Sequence, residues 1–196
     1  MSAPVGQMPH PLAADLASFY RKRELTGPVI EIAAGSGRNT VYFGESGIPI
    51  VATRDDESYT QLPGGRNVYA AALSTHGYLH GTTAKLRLGF AELRRVLRPS
   101  APIFITLGSI HDDRFGLGVA YDEHTFAPGD GDEAGVPHSY FDRAGVPELL
   151  APAFIVESLD EVGVDAIVGR WAHRLPAGMC HWFVVARRND TARSLT

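Results

Sequence analysis

Cysteine is nearly missing from this chain: Cys180 is the only one in 196 residues. A single thiol excludes a disulfide framework and a cluster of thiolate metal ligands. Long apolar runs are lacking too, so no segment reaches the length of a membrane span, and Met1 to Pro11 has no apolar core of the signal-peptide kind. Positive charge is not in excess. The formal net charge is -4, and Arg87, Arg94, Arg95 and Arg98 read as the solvated face of one helix, so nothing argues for nucleic acid. The G-x-S-x-G nucleophile motif does not occur, and Cys180 lies in an apolar strand context that suggests an inert core thiol. These absences leave a cytoplasmic, enzyme-like domain with no membrane or nucleic-acid partner as the expectation.

A chain of this length suits one compact domain. Residues 1–11 hold three prolines and no periodicity, and read as a flexible arm before a single α/β domain over 12–196. Leu12, Leu16 and Phe19/Tyr20 recur at helical spacing and predict an amphipathic helix to about Glu24, placed to cover the sheet or the mouth of a site. The most informative stretch follows, Val29-Ile30-Glu31-Ile32-Ala33-Ala34-Gly35-Ser36-Gly37-Arg38-Asn39. Its β-branched residues predict a strand that runs into a glycine turn and then a helix over 39–45. Gly35 and Gly37 can take positive φ and carry no Cβ, so a ligand can lie against the backbone, facing the N–H groups of the helix start. Residues 48–53 read as a second strand, parallel to the first through a right-handed crossover.

The third position of the dinucleotide fingerprint is Thr40 rather than glycine, which weakens a nicotinamide or flavin reading. Glu31 followed by A-x-G-x-G instead resembles the first motif of class I S-adenosylmethionine-dependent methyltransferases. The segment Ala91 to Pro99 (A-E-L-R-R-V-L-R-P), followed by the apolar strand 102–107, is similar to a second recurrent feature of that family. The resemblance spans about 29–187. It implies a Rossmann-like sheet with helices on both faces and an antiparallel final strand, S-adenosyl-L-methionine as cofactor, and a small-molecule substrate. It also implies cofactor contacts from Glu31, Ala33, Gly35 and Gly37, from Ser74 and Thr75 after the strand 68–73, and from an acid at the end of the second strand.

Two departures from the family pattern stand out. Arg54 occupies the expected position of the ribose-binding acid, with Asp55 and Asp56 next to it. Asp55, or else Asp56, takes the ribose role if a turn redirects it, and an acidic solvated loop is the alternative. Between the second strand and Leu62-Pro63-Gly64-Gly65, the chain has only a few residues where the family places a helix and a strand. One βα unit is therefore expected to be absent, together with the acid that binds the adenine amino group. The sheet edge this exposes leaves room for a homodimer.

Residues 84–97 read as a helix with Leu86, Phe90, Leu93 and Leu97 on one stripe, stopped by Pro99. The polar, glycine-rich stretch 108–141 is the expected lid and substrate region. A helix over 142–150 and strands over 154–159 and 181–186 complete the chain, with Trp171, Ala172 and His173 in the last connection. His76 and His138 are the candidate general bases, because the ordinary imidazole pKa lies near operating pH. His76 and His80 have metal-like spacing, but no third ligand stands at a matching interval, so no metal is assigned. Asp130, Asp132 and Glu133 lack the order of a calcium loop. Two other classes stay open: a methyltransferase-fold enzyme with diverged chemistry such as cyclisation or rearrangement, and a non-catalytic partner module.

Overall fold

A computed structural model describes residues 8–55, 57–163 and 178–191. The chain opens with α1 (Pro11–Lys22), which carries proline at its first position and His10 as N-cap. The His10 ring Nδ1 accepts the Leu12 N–H at 3.1 Å, and its backbone N–H donates to Asn39 Oδ1 at 2.8 Å. His10 is 0% exposed. The end of the expected flexible arm is therefore an anchored helix start, and residues 1–7 lie outside the described residues.

β1 (Val29–Glu31) leads through the glycine turn into α2 (Arg38–Glu45), and β2 (Ile50–Ala52) pairs parallel with β1. β3 (Ala71–Ser74) joins the other edge of β1, also parallel. This strand begins later than the sequence pattern predicts. Val68 and Tyr69 instead donate their N–H groups to the Val96 carbonyl, at the end of the helix that follows. A 3-10 turn (Gly77–Leu79) and α3 (Thr83–Val96) then lead to β4 (Pro102–Ser109), buried throughout.

Among the described residues, no helix or strand lies between β2 and β3, so β2 is the sheet edge and the expected unit is absent. In its place Tyr59 and Leu62 turn inward and join the core on the α3 face. A Cβ at Gly89 of α3 would stand 2.5 Å from Tyr59 Cδ2, so the helix carries glycine where the tyrosine ring packs against it.

The region 108–141 is more ordered than its glycine content predicts. It forms β5 (Val119–Ala120), β6 (Thr125–Ala127) and β7 (His138–Phe141), an antiparallel set rooted in the main sheet. β7 pairs parallel with Gly108 and Ser109, beyond the point where β3 stops. α4 (Gly145–Leu150) starts later than expected, because Asp142 Oδ1 accepts the Gly145 N–H and makes a turn first. β8 (Phe154–Gly163) and β9 (Cys180–Arg188) form the antiparallel pair, with β9 on the far edge of β4. Trp171, Ala172 and His173 lie outside the described residues.

The central order β2-β1-β3-β4-β9-β8 is a Rossmann-like sheet covered on both faces. Leu12, Leu16, Phe43 and Phe104 form the core under α1 and α2, while Leu86, Phe90, Ile103 and Leu149 form the core under α3 and α4. Among the described residues, no helix is long and apolar enough to cross a membrane.

Candidate functional site

Open parallel sheets bind ligands beyond the carboxyl ends of their strands. A cavity of about 440 Å³ lies there, walled by Ala33, Gly35, Arg38, Asp55, Thr75 and His76, with His80 and Glu133 among the residues on the lid side. That volume falls in the range of small-molecule sites. The floor is the turn after β1. Gly35 and Gly37 have φ of 55° and 78°, and Ala33 is held at φ 54°, a left-handed conformation that costs an L-residue energy and concentrates at functional sites.

The turn is tied at both ends. The Gly35 N–H donates to Asp55 Oδ1 at 2.9 Å, and the Ala33 N–H to Thr53 Oγ1 at 3.0 Å. Asp55 is thus redirected toward the cavity despite Arg54 holding the strand-end position. Gly77 closes the site from the β3 side. A Cβ there would meet Ala33 Cβ at 2.9 Å, Ser74 Oγ at 3.0 Å and the Ile32 carbonyl at 3.1 Å.

Two residues expected to contact the cofactor stand beneath this surface. Glu31 is 1% exposed and spends its carboxylate on α2: Oε1 accepts Asn39 Nδ2 at 2.9 Å and Oε2 accepts the Thr40 hydroxyl at 2.6 Å. Ser74 is buried, with its hydroxyl donating to the Ile32 carbonyl at 3.4 Å. Neither is part of the cavity wall; each fixes the backbone that is. Burial raises the Glu31 carboxyl above its ordinary value, against the Thr40 and Asn39 hydrogen bonds.

Arg38 escaped the sequence reading. It is the first residue of α2, mostly buried, and it lines the cavity. Burial lowers its pKa, and Glu31 acts in the opposite direction. A basic residue directly after a glycine turn was the available signal.

The histidines divide into two groups. Burial, with His181 and Arg38 nearby, lowers the His76 pKa to about 3. His181, 0% exposed and with neither ring nitrogen hydrogen-bonded, is lowered by burial to about 4. Both rings are neutral near pH 7, because they titrate below the range of an ordinary imidazole. His76 is a poor proton acceptor and a good neutral hydrogen-bonding group. His138 stands behind the wall rather than in it, 3% exposed, beside His80 and Glu133. The spacing of His76 and His80 is thus uninformative: His80 turns to the lid, and its partners come from far along the chain. The contacts from His138 first and His80 second hold the Glu133 carboxyl well below the usual carboxylate range.

Cys180 is half-buried in β9, but its surroundings are polar, and its N–H donates to Asp112 Oδ2 at 3.0 Å. Burial and the nearby Glu161 carboxylate raise its pKa, so the thiol is protonated.

No protein-family model and no curated protein matches this sequence. Solved structures do match it. The 1,6-didemethyltoxoflavin-N1-methyltransferase of Burkholderia thailandensis, with bound 1,6-didemethyltoxoflavin and S-adenosylhomocysteine, superposes with a TM-score of 0.67 at 19% identity, over 92% of this chain and 79% of that one. An S-adenosylmethionine-dependent methyltransferase from Mesorhizobium loti gives 0.60 at 16% identity, over 90% and 100% of the two chains. The CcbJ methyltransferase from Streptomyces caelestis gives 0.60 at 12% identity, over 92% and 97%. The fold is that of the class I S-adenosylmethionine-dependent methyltransferases.

Proposed function

We propose that this chain is an S-adenosylmethionine-dependent methyltransferase acting on a small-molecule metabolite. The observation that carries the reading is the contact of Asp55 with the Gly35 N–H on the wall of the cavity, which restores an acid beside the glycine turn although Arg54 holds the strand-end position.

The residues present fit the cofactor. The left-handed backbone at Gly35 and Gly37 leaves a surface without side chains for the methionine half. Arg38 supplies a guanidinium for the cofactor carboxylate, and Asp55 accepts from the ribose hydroxyls. Glu57, on the same wall, takes the place of the adenine-binding acid lost with the missing unit. Ala33 and Thr75 complete the wall, while Glu31 and Ser74 act through the backbone they brace.

When bound, the cofactor supplies a methyl group activated by its sulfonium. The protein then has to hold the acceptor in line with that methyl and keep water away. His76, neutral and facing the cavity, positions the acceptor by hydrogen bonding. The lid strands and Glu133 close the acceptor side. A small-molecule acceptor is supported by the size of the cavity and by the small ligand named for the Burkholderia enzyme.

Calorimetric titration with S-adenosylmethionine and S-adenosylhomocysteine tests the reading. Binding in the micromolar range, abolished in Gly35→Val/Gly37→Val, is the expected result. Failure of the intact, folded protein to bind either compound would overturn it and favour a cofactor-free enzyme or a partner module.

A further inference from the structure

His80 follows the 3-10 turn after β3, Glu133 lies in the lid, and His138 opens β7. An isolated antiparallel bridge between His80 and His138 places the two rings side by side, 4.7 Å apart and almost perpendicular. Glu133 faces both of them. Its Oε1 is 3.3 Å from His80 Nε2, and its Oε2 is 3.1 Å from His138 Nε2. The donor atoms all lie within 4.8 Å of one another. Around a tetrahedral ion with bonds of about 2.0–2.1 Å, neighbouring ligand atoms stand about 3.3–3.4 Å apart.

His138 supplies an independent argument. Its Nδ1 is 2.8 Å from the Val136 carbonyl, which can only accept, so Nδ1 carries a proton. Its Nε2 is buried and faces the Glu133 carboxylate at 3.1 Å, with no other polar partner among the described residues. In the neutral ring, that nitrogen offers a lone pair toward another lone pair. Such a pair is stable only with positive charge between the two atoms, either a second proton or a cation. A ring N–H held by a backbone carbonyl, with the other nitrogen left available, is the second-shell arrangement of metal-binding histidines.

Charge balance favours a cation as well. Arg114 Nη1 approaches Glu133 Oε2 at 3.5 Å, but Arg114 is itself paired with the buried Asp112 at 2.9 Å. The set Glu133, Arg114 and Asp112 therefore keeps one net negative charge beside the two imidazoles.

We propose that His80, Glu133 and His138 form a site for a divalent cation of the zinc type at the acceptor mouth of the cavity. Two imidazoles and one carboxylate suit a borderline transition ion rather than calcium or magnesium, which take oxygen ligands. Three protein ligands leave a position open, the pattern of reactive rather than structural sites. His80 and Glu133 also line the cavity, so the open position faces the acceptor side. The role assigned next rests on the methyltransferase reading. An acceptor oxygen or nitrogen bound there loses its proton to water more easily. It then forms its bond to the methyl carbon as the carbon–sulfur bond breaks, and the neutral thioether leaves.

The test uses the full chain after treatment with a chelator. Zn²⁺ is titrated by calorimetry, and Co²⁺ is followed by the visible absorption of its low-coordinate form. Binding of one equivalent is expected, weakened more than about a hundredfold in His138→Ala and in Glu133→Gln, beyond what loss of an outer-shell partner costs. His80→Ala, at a partly exposed side chain, gives a variant that keeps the core intact, and circular dichroism verifies folding of all three. His111→Ala, at a histidine that pairs with Glu161 and not with Glu133, should bind as the parent does. No binding by the folded parent, or binding unchanged in both His138→Ala and Glu133→Gln, would overturn the proposal. So would nitrogen NMR showing both His138 nitrogens protonated in the presence of Zn²⁺. Calorimetry with S-adenosylmethionine on the same sample reports separately, so loss of the metal site and loss of the cofactor reading are distinguishable.

Discussion

Asp55 Oδ1 accepts the backbone N–H of Gly35 at 2.9 Å, joining the loop after β2 to the ligand-facing turn after β1. The bond is exposed, so its loss has little effect on folding, but it orients the carboxylate over the cavity. Asp55→Ala should weaken S-adenosylmethionine binding by about tenfold to a hundredfold, the range for a hydrogen bond to a charged group, and leave the urea midpoint almost unchanged. Calorimetry beside urea unfolding separates the two effects. Equal affinity in variant and parent would remove Asp55 from the cofactor site.

Glu31 makes a different prediction, because its carboxylate is buried and bonded to Asn39 and Thr40. Its folded pKa is raised, chiefly by burial, above the ordinary 4.5. Between those two values the unfolded glutamate is ionised while the folded one still holds its proton. Stability from this group is therefore lost as pH rises through that window. Glu31→Gln has no such proton. The unfolding free energy of the parent should fall relative to the variant as pH rises above 4.5, and a pH-independent difference would refute the assignment.

Histidine burial acts at the other end of the scale. His10, His76 and His181 are all neutral when folded, with pKa values lowered mainly by burial, to about 3 for His76 and about 4 for His181. Below the ordinary value of 6.5 the unfolded chain takes up protons that the folded chain does not. Each of these residues should then destabilise the fold by about 1.4 kcal/mol per pH unit as pH falls below 6.5. The measurement is unfolding free energy against pH, with His76→Gln predicted to flatten the slope. NMR should show no protonation of His76 at pH 5.

Gly77 is constrained by space rather than by dihedral angle. Gly77→Ala drives a methyl into Ala33, Ser74 and the Ile32 carbonyl, two of which belong to the packed strand ends. A destabilisation of about 1–3 kcal/mol is expected from such overpacking. Because Ala33 carries the turn, S-adenosylmethionine affinity should fall in parallel. A variant with unchanged stability and binding would show that the 3-10 turn moves freely on the floor.

Legibility of the sequence followed the range of the interactions. The strand–glycine–helix unit and α3 are written in local spacing: β-branched residues before Gly35, and a leucine and phenylalanine stripe before Pro99. The missing unit was legible as a length deficit. Tyr59 filling the space against Gly89 was not, because that contact joins segments far apart in the chain. The lid strands were obscured by glycine and charge, which mark turns irrespective of what pairs beside them. Glu133 carried no local signal of its histidine partners. His10 did carry one, since a polar residue before proline is a helix start, but the surrounding prolines masked it. Arg38 was passed over, because its burial depends on the packing of α2 against the sheet and not on local spacing.

The lid is rooted in the same strand that runs through the core. Tyr140 and Phe141 pair with Gly108 and Ser109 of β4, and the Ser139 hydroxyl donates to the Gly81 carbonyl at 2.7 Å. Between Pro128 and Val136 the backbone is held mostly by its own turns, with Gly131 and Gly135 at positive φ. Amide exchange should therefore divide the lid in two, slow along β7 and fast across 129–135. Glu133 belongs to the turn-held part, whereas His80 and His138 are bridged to each other at the base of the lid, so the acidic member of the trio stands on the least braced backbone of the three.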